Sequence, residues 1–250
     1  MALCVEILLG FVMVLTRISA FFLVLPVFGW KTIPVRIKVG LIVLIAVFFS
    51  VITPLAIQPK NVSVLEAILL LANEAAYGFA MGLVAAVVFY AVKLSGRIIE
   101  RQMGLALAEV LDPLTGERTQ PLGSLLEMIF LLLFLSANGH HLLLLIISKS
   151  YEAFPAGRIP TIPVLTAGVI QAGSAMFIAS LKLAAPMLAA FLLLMVVLAV
   201  LARIVPEMNI LFISLPLRVG LGLLMVTIFL PFINGFVAEF ADWMGKLLPY

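Results

Sequence analysis

The sequence predicts an all-helical protein embedded in a membrane. Hydrophobic residues fill 65% of its 250 positions, and charged residues fill only 11%. A water-soluble domain carries about 25% charged residues, so this chain has too few charges to cover itself with a solvated surface. The mean hydropathy of +1.31 agrees with this. Lipid, partner proteins or both must therefore cover its apolar exterior.

Long apolar blocks carry this prediction, and each reaches the ~20 residues that a helix needs to cross the hydrocarbon core. No polar, low-complexity stretch divides the chain, which favours one helical unit. We predict about six helical segments, at roughly Ala2–Trp30, Ile37–Ile57, Val64–Val92, Leu125–Ser148, Val164–Ala202 and Asn209–Trp243.

Two of these blocks do not fit a simple span. As one helix, Val164–Ala202 would extend ~58 Å at ~1.5 Å per residue, nearly twice the ~30 Å core. Either it breaks, with Pro186 the obvious position, or part of it packs against protein outside the membrane. Leu125–Ser148 contains Asn138-Gly139 at its centre, so it forms either one span or a hairpin of two short arms.

The connections between the blocks differ in positive charge, which predicts orientation. With six simple spans, the richer side faces the cytoplasm and both termini lie on the opposite side. A hairpin at Asn138-Gly139 would reverse everything after it. The richer side holds Lys31, Arg36, Lys38, Lys93, Arg97, Arg101, Arg118 and Arg203, and the other side holds Lys60, Lys149, Arg158 and Lys246.

Residues that could carry catalysis are few. Cys4 is the single cysteine, which excludes intramolecular disulfides and Cys-rich metal sites. His140 and His141 are adjacent, so on a helix they point ~100° apart and cannot share one ion from one face. No nucleophile elbow, phosphate-binding loop or basic run of the nucleic-acid type occurs. We therefore predict no enzyme, cofactor, metal or nucleic acid, and an intramembrane enzyme using either histidine is the weakest alternative.

Charges inside apolar blocks are a sharper signal, because each is costly in lipid unless it is paired or faces a cavity. One interpretation is an ion or substrate pathway through a helix broken at Pro186, as in secondary transporters. The favoured interpretation is pairing with polar groups on partner subunits. A Gly78-xxx-Gly82 pair would also permit close helix approach. The internal charges are Arg17, Glu66, Glu74, Lys182 and Arg218.

Several motifs stand out in order along the chain: Arg17–Pro26 with Gly29 and Pro34, Gly96–Gly104 running on to Glu109–Gly116, Ala137–His141, Leu183–Pro186, Leu201–Ile210 and Leu215–Leu217. Together they resemble the FliR/SctT family of type III secretion export-gate subunits. Their order matches that family across nearly the whole chain, and the Pro-x-Met-Asn motif after Arg203 is the most specific.

The resemblance implies a fold and a set of partners. Residues 1–163 would be FliP-like, and residues 164–250 would form a FliQ-like hairpin with Arg203–Asn209 at its tip. The subunit would pack with FliP-like and FliQ-like proteins in a helical assembly, in contact with FlhB-like and FlhA-like export proteins and with lipid. The residues assigned to subunit contacts or structure are Arg17, Glu74, Gly78, Gly82, Lys182, Pro186, Arg203, Pro206 and Asn209.

The family also implies a pore plug, which maps to about Leu105–Thr119. Apolar side chains there could close a pore by excluding water, while Gly104 and other helix-breaking residues would keep the segment irregular. The alternative is an ordinary solvated loop on the cytoplasmic side. The predicted plug residues are Leu105, Leu107, Val110, Leu111, Asp112, Pro113 and Gly116.

The resemblance thus implies a structural channel subunit of the flagellar export gate. It would pass unfolded export substrates across the bacterial inner membrane at the flagellar basal body, with its termini on the periplasmic side. Transport would be driven by the proton motive force and an associated ATPase. The alternatives are an injectisome export gate and a stand-alone secondary transporter.

Overall fold

The computed structural model describes residues 2–26, 34–52, 63–105, 121–157, 162–207, 209–210 and 212–228. Within these ranges the chain forms seven helices and no strand, which confirms the all-helical prediction. The helices are α1 (Ala2–Val24), α2 (Val35–Ile52), α3 (Val64–Met103), α4 (Pro121–Ser136), α5 (Gly139–Ala153), α6 (Ile162–Ile204) and α7 (Phe212–Ile228).

Three of these helices, α2, α3 and α6, are long and apolar enough to cross a membrane. The bent pair of α4 and α5 gives a fourth candidate, and α7 is a shorter apolar helix. The predicted count of six spanning segments is therefore not confirmed. Parts of three predicted segments lie outside the described ranges: residues 27–30 of the first, 53–57 of the second, and 211 and 229–243 of the last.

Helix α3 is longer than the apolar block that predicts it. A capping box begins it: the Glu66 amide donates to Ser63 Oγ at 3.3 Å, and the Ser63 amide donates to Glu66 Oε2 at 2.8 Å. Gly104 ends it in a left-handed conformation, with φ 80°. The Gly104 and Leu105 amides donate to the carbonyls of Arg101 and Glu100, a helix end that favours glycine.

The two blocks that do not fit a simple span have different outcomes: one stays a single helix and the other divides into two. Helix α6 is continuous for 43 residues with Pro186 inside it, so the alternative of a break at Pro186 is wrong. At ~1.5 Å per residue it extends ~64 Å. The fourth block instead divides into α4 and α5, bent by 75°. Asn138 at the break has φ 58°, a conformation that asparagine tolerates better than most residues.

The helices contribute to two compact units. One contains the described residues up to Val87 and those from 138 to 174, and in it α1 packs against α2. The other contains the described residues from 88 to 137 and those from Ala175 onwards. In that unit the Phe89 ring packs edge-on against Phe130 and Phe134, with ring centroids 5.3 and 5.2 Å away. The boundary that the resemblance implies between residues 163 and 164 stays a prediction.

Candidate functional site: a buried ion pair and a helix crossing

Arg17 on α1 and Glu74 on α3 form a buried ion pair. Their side chains are 2% and 1% exposed. Arg17 Nε donates to Glu74 Oε2 at 2.6 Å, and Arg17 Nη2 donates to Glu74 Oε1 at 3.0 Å. Two parallel bonds between a guanidinium and a carboxylate are stronger and more directional than a single contact. The pair therefore sets the register of α1 against α3.

The same two side chains also hold the end of α5. Arg17 Nη1 donates to the Phe154 carbonyl at 2.9 Å and to the Ser150 carbonyl at 3.3 Å. Glu74 Oε1 accepts a further bond from the Gly157 amide at 2.8 Å. Because carbonyls at a helix end lack partners within the helix, the arginine supplies donors that α5 needs. The pair thus joins three segments that are distant in sequence.

Aromatic rings enclose the guanidinium. Its central carbon lies 4.3 Å from the centroid of the Tyr151 ring and 4.8 Å from that of Tyr77. Both distances are within the range of cation–π attraction. The Tyr151 hydroxyl donates to the Val14 carbonyl at 3.4 Å. The Arg17 charge is therefore compensated by a carboxylate, by carbonyls and by aromatic faces, as expected of a fixed structural element.

Two glycines allow α3 to approach α1 closely enough for this pairing. A Cβ on Gly78 would overlap the Arg17 carbonyl oxygen, and a Cβ on Gly82 would lie 2.7 Å from the Phe21 carbonyl oxygen. The predicted close helix approach at these glycines thus occurs within the chain. Likewise, Arg17 and Glu74 are partners of each other within the chain.

A second close contact lies where α3 crosses α4. A Cβ on Gly96 would be 2.6 Å from Gly123 Cα. Beside the crossing, Lys93 Nζ lies 2.8 Å from Glu127 Oε2, with the side chains 29% and 11% exposed. This crossing holds together the two helices that flank residues 106–120.

Those flanking helices bracket the predicted plug. Leu105 is half-buried and directly follows the glycine that ends α3. The other predicted plug residues lie outside the described residues: Leu107, Val110, Leu111, Asp112, Pro113 and Gly116.

The remaining predicted residues are not gathered into one site. Lys182, Arg203, Pro206 and Asn209 are exposed, and Pro186 is half-buried. Glu66 is an exposed helix cap and not a charge within the core.

The two histidines are also exposed, with ring centroids 4.2 Å apart. Among the residues that the structure describes, no three His, Cys, Asp or Glu side chains are grouped so that they could hold a metal ion.

The specific pairings escape sequence reasoning. Arg17 and Glu74 stand out as internal charges of opposite sign, and that is the signal that could have suggested their pairing. Lys93 stands out only as one of the positive charges that predict orientation, and Glu127 gives no comparable signal because it sits near the start of an apolar block. In both cases the missing information is which helices touch.

Comparison with known proteins identifies the family of this chain. Residues 8–243 match the family model described as Bacterial export proteins, family 1. The chain belongs to this family. Since the match covers almost the whole chain, both the ion pair and the α3–α4 crossing lie within the family's common region.

Individual relatives of this export protein agree with the family assignment. Flagellar biosynthetic protein FliR of Bacillus subtilis (strain 168) is 34% identical over 227 residues, 88% of this chain and 85% of the relative. The FliR of Escherichia coli (strain K12) is 30% identical over 234 residues, 94% and 89% of the two chains. Yop proteins translocation protein T of Yersinia pestis is 29% identical over 227 residues, 89% and 86%. The resemblance to the FliR/SctT family is confirmed.

Proposed function

We propose that this export protein is a structural subunit of the flagellar protein export gate in the bacterial inner membrane. The observation that carries the proposal is the family match over residues 8–243, together with 34% identity to a flagellar biosynthetic protein. Relatives named for flagellar biosynthesis and for Yop translocation both match the chain. The injectisome alternative is not better supported than the flagellar one.

We infer that the chain acts as a structural component and not as an enzyme. Its buried Arg17–Glu74 pair is satisfied by hydrogen bonds and aromatic faces, which leaves these charges no role as acid or base. Lys182, which a secondary transporter would use at a broken helix, instead lies exposed on the unbroken α6. Both features favour a wall element of a larger conduit over a stand-alone transporter.

We further propose that FliP-like and FliQ-like proteins cover much of its apolar exterior, in contact with FlhB-like and FlhA-like proteins. In this proposal residues 1–163 are FliP-like, residues 164–250 form the FliQ-like hairpin, and the termini face the periplasm. The ~64 Å length of α6 supports the proposed covering by partner proteins, because a helix twice as long as the ~30 Å core needs protein neighbours beyond the lipid.

The segment Leu105–Thr119 is proposed as the pore plug. The Gly104 helix end and the α3–α4 crossing at Gly96 and Gly123 support it, because they fix both flanks of the segment at helices. Unfolded export substrates would displace the plug, and its apolar side chains would exclude water at rest.

Two measurements test the proposal. Chromosomal deletion of the chain should stop secretion of flagellar substrates, and the tagged chain should co-purify with FliP-like and FliQ-like proteins in mild detergent. Normal secretion without the chain, or solute transport by the chain alone in liposomes, would overturn it.

Deletion of residues 105–119 should make the assembled gate leak ions without preventing co-purification. An ion-tight gate after this deletion would overturn the plug assignment alone.

A further inference from the structure

Helix α7 packs closely against the end of α3, within one compact unit. A Cβ on Gly222 would lie 2.6 Å from Cγ and Sδ of Met103 and 2.8 Å from its Cε. Met103 is the last residue of α3 and is 1% exposed, and Gly222 is also buried. The methionine side chain therefore occupies the space that any side chain at position 222 would need.

The two residue types suit this contact. A glycine inside a helix lowers its stability relative to alanine, and at position 222 the close approach of α3 accounts for it. Gly220 on the same helix is exposed, and a Cβ there would meet no atom within 4 Å. Methionine is unbranched and flexible, which allows it to fill an irregular gap. Met103 and Gly222 thus form a side chain and a matching notch.

The contact lies where α3 ends. Gly104 follows with φ 80°, and the Leu105 amide donates to the Glu100 carbonyl at 3.4 Å. Such backbone bonds stay within the last turn, so they set its shape but not its place among the other helices. Packing of buried side chains sets that place, and Met103 contributes to it by packing on α7.

We infer that Met103 and Gly222 are positioning residues for pore closure. Through their contact, α7 holds the last turn of α3, and with it the start of the plug, in the place that keeps the gate ion-tight at rest. The inference rests on the proposed plug at Leu105–Thr119, which begins two residues after Met103. It makes the closed state depend on α7, a helix distant from the plug in sequence.

An exchange of side-chain size tests the contact. Gly222→Ala should overfill the notch and Met103→Ala should empty it, so each should lower the melting temperature of the assembled gate in detergent. In the double variant the new methyl group takes space that Met103 has vacated, so its loss should be smaller than the sum of the two. Gly220→Ala is the matched control and should melt no lower than the wild type. Additive losses would overturn the contact.

Ion leak tests the positioning role. The assembled gate, with its co-purifying proteins, is placed in liposomes and its ion leak is measured. We expect Met103→Ala and Gly222→Ala each to raise the leak several-fold, the double variant to return it towards the wild-type level, and Gly220→Ala to leave it unchanged. General loss of stability would not produce this rescue. A wild-type leak in both single variants would overturn the inference.

A disulfide keeps the test decisive if Gly222→Ala does not assemble. Met103 Cγ, 2.6 Å from the Cβ position of residue 222, is one bond from Met103 Cβ, so cysteines at both positions come within reach of a disulfide. In a Cys4→Ser background, Met103→Cys with Gly222→Cys should cross-link with copper phenanthroline, and the cross-linked gate should be ion-tight. Absence of the cross-link, or a leak through the cross-linked gate, would count against the inference.

Deletion of the plug separates this inference from the proposed function. In the gate that lacks residues 105–119, Met103→Ala should add no further leak, because the contact acts through the plug. A further leak would show another route and overturn the positioning role. If the deletion itself leaves the gate ion-tight, the plug assignment fails, whereas a leaky deletion beside an ion-tight Met103→Ala gate removes only the role of Met103.

Discussion

Arg17 and Glu74 lie 57 residues apart in sequence and meet through two hydrogen bonds at the centre of a buried network. The pair binds the end of α5 through the Phe154 carbonyl and the Gly157 amide. Charges in an apolar chain usually suggest a transport pathway or a partner subunit. Here the two charges satisfy each other, and their role is to hold three segments of one subunit together.

Removing either charge should destabilise the protein strongly. Glu74→Gln or Arg17→Gln leaves the other charge buried without its counterion, which costs about 3–5 kcal/mol. The double variant Arg17→Met with Glu74→Leu should recover only part of this loss, because neither charge remains but the Phe154 carbonyl and the Gly157 amide lose their partners. Denaturant unfolding in detergent, followed by circular dichroism, measures the difference. Glu66→Gln at the exposed helix cap is the control, and single variants as stable as that control would contradict the structural role.

Adding one methyl group at Gly78 should separate α1 from α3. Gly78→Ala places a carbon against the Arg17 carbonyl oxygen, so we expect a loss of about 1–3 kcal/mol from overpacking. Gly173→Ala is the matched control, since no atom lies within 4 Å of its Cβ position. That change should stabilise α6 by about 0.5–1 kcal/mol. Thermal melts measure the stability of both variants, and equal melting temperatures would refute the close contact between α1 and α3 at Gly78.

The crossing at Gly96 should control ion tightness if it positions the plug. Gly96→Ala forces α3 away from α4, because the new Cβ would lie 2.6 Å from Gly123 Cα. We expect a raised ion leak through the assembled gate with normal co-purification of partners. Gly40→Ala, which meets no atom within 4 Å, should leave the leak at the wild-type level. An unchanged leak in Gly96→Ala would separate the crossing from gating.

Lys93 and Glu127 should show measurable coupling. Their atoms approach to 2.8 Å, and both side chains are less than one-third exposed. A double-mutant cycle with Lys93→Met and Glu127→Gln should give a coupling energy of about 0.5–1.5 kcal/mol. The free energy of unfolding in detergent is the quantity to compare. Additive effects of the two substitutions would mean that the contact contributes nothing to stability.

Replacing Pro186 should leave α6 intact. Proline donates no backbone hydrogen bond, so the Lys182 carbonyl loses its usual partner in the helix. Pro186→Ala should therefore raise stability by up to about 3 kcal/mol without changing helical content, as measured by circular dichroism and thermal melting. A drop in helical content would show that proline shapes α6 in a way that alanine cannot reproduce.

Some local features could be predicted directly from sequence. Gly104 ends α3, and Asn138-Gly139 divides α4 from α5. Glycine and asparagine tolerate left-handed backbone conformations, so their positions mark helix ends. Pro186, in contrast, does not mark a helix end, because α6 continues through it. A proline removes one donor, and the surrounding turns of a long apolar helix can continue past that loss.

By itself the sequence determined that the protein is helical and belongs in a membrane, because its composition and its long apolar blocks are visible along the chain, and the order of its motifs was enough to show its resemblance to an export family. The tertiary structure alone decided that Arg17 pairs with Glu74, that Gly96 meets Gly123, and that α2 stays uncovered while much of α3 is buried. These depend on which helix faces lie against each other. Packing between side chains far apart in sequence determines which faces meet, and the local sequence pattern does not reveal it.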